Sequence, residues 1–462
     1  MITSREELFQ TIGNASKLGM LGLFIGTGFS KAVLSGSNRY TAYKWKELLE
    51  TACKETGVDF KQIDSECSCP ELATRICSKI ATIKEISLDE AEKEFKKTVC
   101  ELVQSYPEKE QREKYENWFK RISPSWITTT NYDTLIESTL GGVAIPISPK
   151  GCFQNVKGRI PVYHIHGIYN EPEEIIITNE DYAHLFRPFD YRQARLPFLI
   201  KESCVVMMGY KMGDVNVLTA VDWANNVYSN VVDTDNLPLI FLNRTDNPNP
   251  NPYIRKDNLI IYDITGIEEF MTELCAFLVD YDKEYQKYSE AVLQNIEYLC
   301  NMEESHIIEG FLNSPSNINI LMENMKTLKP EFGYVYNSFF NFIREAIKIL
   351  DKESREYGNF EPYNKKIGLI LDILISIPVN KIPPAFFAMI ASELDAVGAY
   401  VSTGDKKIPG KGYTASKTWG ERKHEIPKEA VDELWRFSRS GKYVYCNLPF
   451  LLNSINTEDK SE

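Results

Sequence analysis

Five short motifs along the chain hold residue types that can do chemistry together. Gly26-Thr27-Gly28-Phe29-Ser30-Lys31 follows the apolar run Leu21–Ile25. A strand that turns on Gly-x-Gly lets backbone amides approach a phosphate, because glycine has no Cβ in the way. A helix starting there would add its N-terminal N–H groups and dipole. The turn is therefore a candidate pyrophosphate site. A purely structural turn fits it equally, since Lys31 stands where the usual dinucleotide fingerprint has a third glycine. Asn131-Tyr132-Asp133 follows the strand-like run Trp126–Thr130. Its amide and carboxylate suit ribose hydroxyls, a carboxamide or a water, and an Asx turn without function is the alternative. The run Val162–His166 ends at Gly167. His166 is the one group in the set able to change protonation near neutral pH, while His164 reads as a core histidine with satisfied ring nitrogens. Gly209-Tyr210 follows Cys204–Met208, and Asn243 follows Leu239–Leu242.

These motifs need a scaffold that gathers their strand ends. The apolar runs, with a sixth at Leu259–Tyr262, are mostly separated by stretches long enough for helical crossovers. Such alternation predicts a Rossmann-like, doubly wound parallel α/β sheet, and ligands bind such sheets beyond the carboxyl ends of the strands. Leu8, Ile12 and Ala15 mark a helix in residues 1–20. Trp45, Leu48, Leu49, Ala52 and Cys53 share one face of a helix over 43–56. From there to about 120 the pattern stays helical, so 44–120 reads as a helical insertion. Thr265-x-x-Glu268 reads as a capping box opening the helix that closes the first domain, 1–283. Residues 284–462 read as a mainly α-helical second domain. Its longest apolar stretch, Ile367–Ile377, is interrupted by Asp372 and reads as a buried helix.

Composition narrows the class. The chain has 462 residues, 43% hydrophobic and 25% charged, which is ordinary for a globular protein of two or three domains. Its net charge of −13 argues against a broad basic surface for nucleic acid. Acids at Glu6 and Glu7 and no following apolar stretch speak against a signal peptide, so the expected setting is cytoplasmic, without membrane contact. Ten scattered cysteines include Cys67-x-Cys69 but no C-x-x-C. Cys67, Cys69 and Cys77 are the nearest approach to a metal set. Reduced thiols without metal are the reading adopted.

The ordered set GTGFSKA, TTNYD, HIHG, GYKMGDVN and FLN, with Trp45-Lys46-Glu47-Leu48-Leu49, resembles the sirtuin-like family in the version found in bacterial anti-phage defence proteins. The resemblance covers about three-fifths of the chain. It implies an NAD substrate whose pyrophosphate lies on Gly26, Thr27, Gly28 and Ser30. Asn131 would hold the nicotinamide ribose and a water, Asp133 the carboxamide, and His166 would be the general base. Gly209, Tyr210 and Asn243 would line the adenosine side, and Asp214 marks the defence subfamily. The implied setting is a homo-oligomer controlled by a phage-derived trigger or a partner ATPase or Argonaute.

One departure separates activities. Deacylase sirtuins carry two C-x-x-C pairs between the catalytic histidine and the later glycine-rich strand end. Here that interval holds only Cys204. The resemblance therefore implies NAD+ hydrolysis to nicotinamide and ADP-ribose, without a metal. The alternatives are a sensor that binds NAD or ADP-ribose without cleaving it and, third, a protein deacylase. Residues 402–425, rich in basic and glycine residues with Tyr413 and Trp419 interleaved, read as a solvated loop, with phosphate or nucleic-acid contact as the alternative.

Overall fold

The computed structural model describes residues 2–63, 66–148, 158–185, 197–210, 222, 237–255, 259–288, 305–328, 335–354, 360–401, 413–439 and 445–455. The chain divides into two compact units, Met1–Lys283 and Glu284–Glu462.

The first unit is built on eight strands: β1 (Leu21–Ile25), β2 (Trp126–Thr129), β3 (Ala144–Ile147), β4 (Ile160–His164), β5 (Cys204–Met208), β6 (Leu239–Arg244), β7 (Tyr253–Ile254) and β8 (Ile260–Ile264). They form one sheet in the order β3-β4-β2-β1-β5-β6-β8-β7, parallel throughout except at β7–β8. This is a Rossmann-like sheet. β1 and β5 are buried at every residue, as expected of central strands covered on both faces. β1 pairs with β2 on one side and β5 on the other, so the winding reverses between β1 and β5. Ile25 is level with Thr129 and Met208, and Thr129 with His164. That register sets Gly26, Asn131, His166 and Gly209 along one edge of the sheet, at the switch point where open α/β sheets bind ligands.

Helices cover the sheet: α1 (Arg5–Lys17), α2 (Thr27–Val33), α3 (Trp45–Glu55), α4 (Cys69–Lys84), α5 (Leu88–Leu102), α6 (Lys109–Ile122), α7 (Leu135–Leu140), α8 (Asn179–Leu185) and α9 (Ile267–Tyr288). Helices α3 to α6 lie between β1 and β2; α3, α4 and α5 share a core, while α6 packs on α2 and α7. Leu49, Ala52, Ile76, Phe95 and Val99 build that core, joined by Tyr132, Ile175 and Ile177 from the sheet's loops. Buried Lys96 of α5 ties it further to those loops. Its ammonium meets Glu92 and Asp181, each at 2.7 Å. Asp181 also accepts the Ile177 and Thr178 amides. Burial disfavours the Lys96 charge, yet the two carboxylates outweigh it and raise the pKa.

In the second unit α10 (Ser305–Leu312), α11 (Pro315–Lys326), α12 (Val335–Glu353), α13 (Glu361–Ser376), α14 (Pro384–Gly398), α15 (Tyr413–Arg422), α16 (Lys428–Ser438) and α17 (Leu448–Ile455) pack around one core. The stretch at 367–377 lies on α13, with Ile367, Ile370 and Leu371 fully buried. Asp372 pairs with Arg422 at 2.8 Å. Among the described residues no helix is long and apolar enough to cross a membrane.

Several expectations need correction. β4 stops at His164, which leaves His166 in the following turn. β3 and β7 were not foreseen. Pro146 interrupts the short edge strand β3, and β7 is two residues long. The capping box at Thr265 is out of register: the helix opens at Ile267, Phe270 N–H donates to Gly266 O at 3.2 Å, and Glu268 instead accepts from Lys114 Nζ at 2.7 Å and Tyr115 OH at 3.3 Å. Residues 413–425 are helical rather than a loop. Trp419 is buried there and its indole N–H donates to Ser454 Oγ at 3.0 Å, so it is not a surface contact for nucleic acid. Residues 402–412 lie outside the described residues.

The junction of β1 and β5 depends on glycine. Gly28 N–H donates to Gly209 O at 2.7 Å, and Gly26 N–H to Met208 O at 2.9 Å. Gly209 has φ +67°, and a Cβ there would stand 2.4 Å from Phe29 N. Gly36 has a similar φ, +81°, but open space around it. Gly36→Ala is expected to cost about 1–2 kcal/mol from backbone strain alone. Gly209→Ala adds a clash with backbone and is expected to cost clearly more, read as the difference between the two urea midpoints at equal slope. Equal losses would mean that the close approach at Gly209 carries no weight.

Candidate active site at the strand ends

The turn after β1 is organised by that junction. Gly26 is the N-cap of α2, and Phe29 N–H donates to Gly26 O at 2.9 Å. The amides of Gly26, Gly28 and Phe29 are thus engaged within the protein. The turn presents hydroxyls, those of Thr27 and Ser30, to the pocket beside it. Gly26 and Gly28 let two strand ends meet, with their own amides engaged in doing so.

Asn131 sits opposite, buried, at the end of β2. Thr129 Oγ1 donates to Ile25 O at 2.8 Å and accepts the Asn131 amide at 3.0 Å, which locks the β2 end to β1. The Asn131 side chain donates from Nδ2 to Ser30 Oγ at 2.9 Å, and its Oδ1 accepts from Thr27 Oγ1 at 3.3 Å. Ser30 Oγ in turn donates to Asp133 Oδ2 at 2.8 Å. Asp133 Oδ1 accepts the Leu135 amide at 3.1 Å, so the Asx turn exists and opens α7. One carboxylate thus shapes the turn and faces the pocket. Burial pushes the Asp133 pKa up, opposed by the bonds from Ser30 and Leu135.

His166 is buried in the turn after β4. Gly167, at φ +97°, lets the chain fold back so tightly that a Cβ would lie 2.7 Å from Ile175 Cα. Ile176 N–H donates to His166 O at 2.8 Å, and Tyr132 OH donates to Ile176 O at 2.7 Å. The imidazole meets the Tyr182 ring edge-on at 5.5 Å, and Tyr182 stacks on Trp45 at 6.0 Å. His164 points elsewhere, as a core histidine: Nδ1 lies 3.0 Å from Asn131 O and Nε2 2.7 Å from Glu137 Oε1.

These side chains line one pocket with about 90 Å³ of interior space. Thr27, Ser30, Asn131, Asp133 and His166 form its polar side. Tyr43, just before α3, and Trp45, Leu48 and Val103 form the other. The helices after the glycine loop are placed by their position in sequence to cover the pocket, and Trp45 and Leu48 are the side chains of α3 that line it. Asp133 is the only carboxylate in the lining, and no lysine or arginine joins it among the described residues.

The remaining candidates are outside that lining. Gly209 contacts the glycine turn. Tyr210 packs its ring on Phe24 at 5.5 Å, close under Gly26. Asn243 ends β6 two strands away, where Nδ2 donates to Asp263 Oδ1 at 2.7 Å. Asp214 lies outside the described residues. Cys77 is buried in the insertion core with its thiol pushed up to about 12 by burial, and Cys67 and Cys69 pack at that core's edge. No group of three or more His, Cys, Asp or Glu able to hold a metal stands together among the described residues.

Because burial raises the Asp133 pKa in the folded chain, its stabilising contribution is present at acid pH and lost as pH rises through the folded value. Asp133→Asn keeps an acceptor for Ser30 or Leu135 and removes that loss. Thermal melts are expected to match the parent near about pH 4, around the unfolded carboxylate pKa, and to exceed it at neutral pH. A variant less stable than the parent at both would mean that the charge is structural.

No curated protein matches the chain. Residues 125–262, which carry Asn131, Asp133, His166, Gly209, Tyr210 and Asn243, match the family model of the SIR2-like domain, and this segment of the chain is similar to that NAD-associated domain.

Proposed function

We propose that the Met1–Lys283 unit is an NAD+ glycohydrolase and that the protein is a regulated effector of anti-phage defence acting by NAD depletion. The observation that carries the catalytic reading is the single pocket in which Asn131, Asp133 and His166 meet at the switch point of the sheet. The SIR2-like match over 125–262 supports NAD as the substrate. The defence role rests on the motif set, including Asp214 in GYKMGDVN.

In this reading the nicotinamide ribose enters the pocket and the adenosine half runs over Gly209 and Tyr210 toward Asn243. Asp133, the one carboxylate lining the pocket among the described residues, suits the cationic pyridinium ring and lies beside the carboxamide. As the C1′–N bond breaks, its electron pair leaves with neutral nicotinamide and the ribose gains oxocarbenium character. Water held by Asn131 attacks C1′. His166 takes the proton that water gives up, and ADP-ribose is the product. The interval between His166 and Gly209 holds only Cys204, buried in β5, so the paired cysteines of a deacylase zinc module have no place there. This favours water over an acyl-lysine peptide as the acceptor.

An enzyme of this kind must be silent at rest. The insertion already walls the pocket through Trp45, Leu48 and Val103, which makes it the element to move. The helical Glu284–Glu462 unit is the proposed receiver of a phage-derived trigger or a partner ATPase or Argonaute, in a cytoplasmic homo-oligomer. Shifting a population from about 1:99 to 99:1 takes about 5.5 kcal/mol of differential binding, within reach of a protein contact. Light scattering is expected to show self-association, and host NAD+ to fall only on phage challenge. A monomer equally active at rest and when challenged contradicts this control.

His166→Ala is expected to lower nicotinamide release about 10²–10⁴-fold in the triggered protein, with unchanged melting. Asn131→Ala is expected to lose turnover while calorimetry still detects NAD+ binding, since its work is done on the attacking water. Parent-like rates in His166→Ala, or lost folding in Asn131→Ala, overturn the assignment.

A further inference from the structure

His164 is fully buried at the end of β4, yet its ring bridges two functionally placed points. Nδ1 lies 3.0 Å from the backbone oxygen of Asn131, and Nε2 lies 2.7 Å from Glu137 Oε1 on α7. A carbonyl oxygen only accepts, so Nδ1 must carry a proton. A carboxylate oxygen 2.7 Å from Nε2 requires a second proton between them. Remove either proton and a lone pair faces a lone pair, at Asn131 or at Glu137. Deprotonation therefore turns one of the two bonds into a repulsive contact whichever tautomer remains.

The bridge spans the segment Asn131–Glu137, which also carries Asp133. Asn131 is otherwise held by its amide on Thr129 and its side chain on Ser30 and Thr27. His164 is the partner of its carbonyl. We propose that His164 and Glu137 form a positioning clamp that fixes Asn131 for turnover only while a proton bridges the imidazole and the carboxylate, so that alkaline solution releases Asn131 and stops the reaction. The proposal rests on the NAD+-cleaving reading of the site.

The charged surroundings fit such a clamp. Burial disfavours the His164 cation, but Glu137, the Asn131 carbonyl and Asp133 outweigh it and raise the pKa. A raised pKa means that the clamp is whole on its acid side and is lost as pH rises through it. The neighbouring strands β2 and β3 bring no charged side chain. On β4 itself the other titratable group is Tyr163, and His166 follows two residues on. On α6, which packs against α7, Glu116 and Lys120 pair with each other at the surface. Among the described residues the second oxygen of Glu137 is buried without a hydrogen-bond partner, so none of them offers a competing donor that would draw the carboxylate from His164.

The test uses the full chain and Glu137→Gln. A glutamine amide donates to Nε2 of a neutral ring whose Nδ1–H still reaches Asn131, so it keeps both bonds without the shared proton. Nitrogen-15 NMR of the five histidines is expected to show both His164 ring nitrogens protonated in the parent at neutral pH and only Nδ1 in the variant. In the triggered parent, kcat for nicotinamide release is expected to fall on the alkaline side by about tenfold per pH unit, with KM unchanged. In Glu137→Gln the alkaline fall is expected to vanish, at a lower plateau rate. An unprotonated Nε2 in the parent, or the same alkaline limb in both proteins, overturns the clamp. A doubly protonated His164 in a parent that releases no nicotinamide under any trigger overturns the NAD+ reading itself, and the clamp's role in turnover with it.

Discussion

Two strand ends can meet at the centre of this sheet only because neither carries a side chain there. The bond from Gly28 N–H to Gly209 O, 2.7 Å long, brings the turn after β1 against the turn after β5. A Cβ at Gly26, Gly28 or Gly209 would stand within 2.7 Å of that opposing chain. With the turn fixed, Thr27 and Ser30 face β2, and Ser30 accepts from Asn131 while donating to Asp133. The polar side of the pocket follows from that approach. The glycines therefore set the position of the chemistry through neighbours rather than by presenting their own amides.

From there support spreads outward in layers. Thr129 anchors Asn131 to β1, and His164 holds its carbonyl from β4. Tyr132 reaches back to Ile176 in the segment that follows His166. Lys96 of the insertion holds Asp181 at the end of that segment. Removing one partner from a buried charge set of this kind costs about 3–5 kcal/mol, so the insertion is structurally committed to the loop that carries His166. The helices that wall the pocket are thereby coupled to the loop that holds the proposed base.

The central strands were legible because full burial writes continuous apolar runs such as Leu21–Ile25 and Cys204–Met208. Edge strands leave no such mark, and β3, with Pro146 and half-exposed positions, escaped notice. Asn131, Asp133 and His166 were visible as polar residues closing strand-like runs, and they share a pocket. Cover of the pocket by the helices after the glycine loop was legible from their place in sequence, but Trp45 and Leu48 as its lining were not, because a helix face in sequence does not say what it faces. The same limit explains Glu268, whose partners Lys114 and Tyr115 are about 150 residues distant in sequence. It also explains Trp419, whose basic and glycine-rich surroundings concealed a buried indole.

The central claim is that water, and no other acceptor, takes the ribose from nicotinamide in this pocket. The most direct measurement is the product balance when the triggered full-length protein is given NAD+ alone. Nicotinamide and ADP-ribose are expected in equal amounts, without any acylated peptide. Intact NAD+ returned from a saturated protein, or nicotinamide released only when an acyl-lysine peptide is supplied, would contradict it.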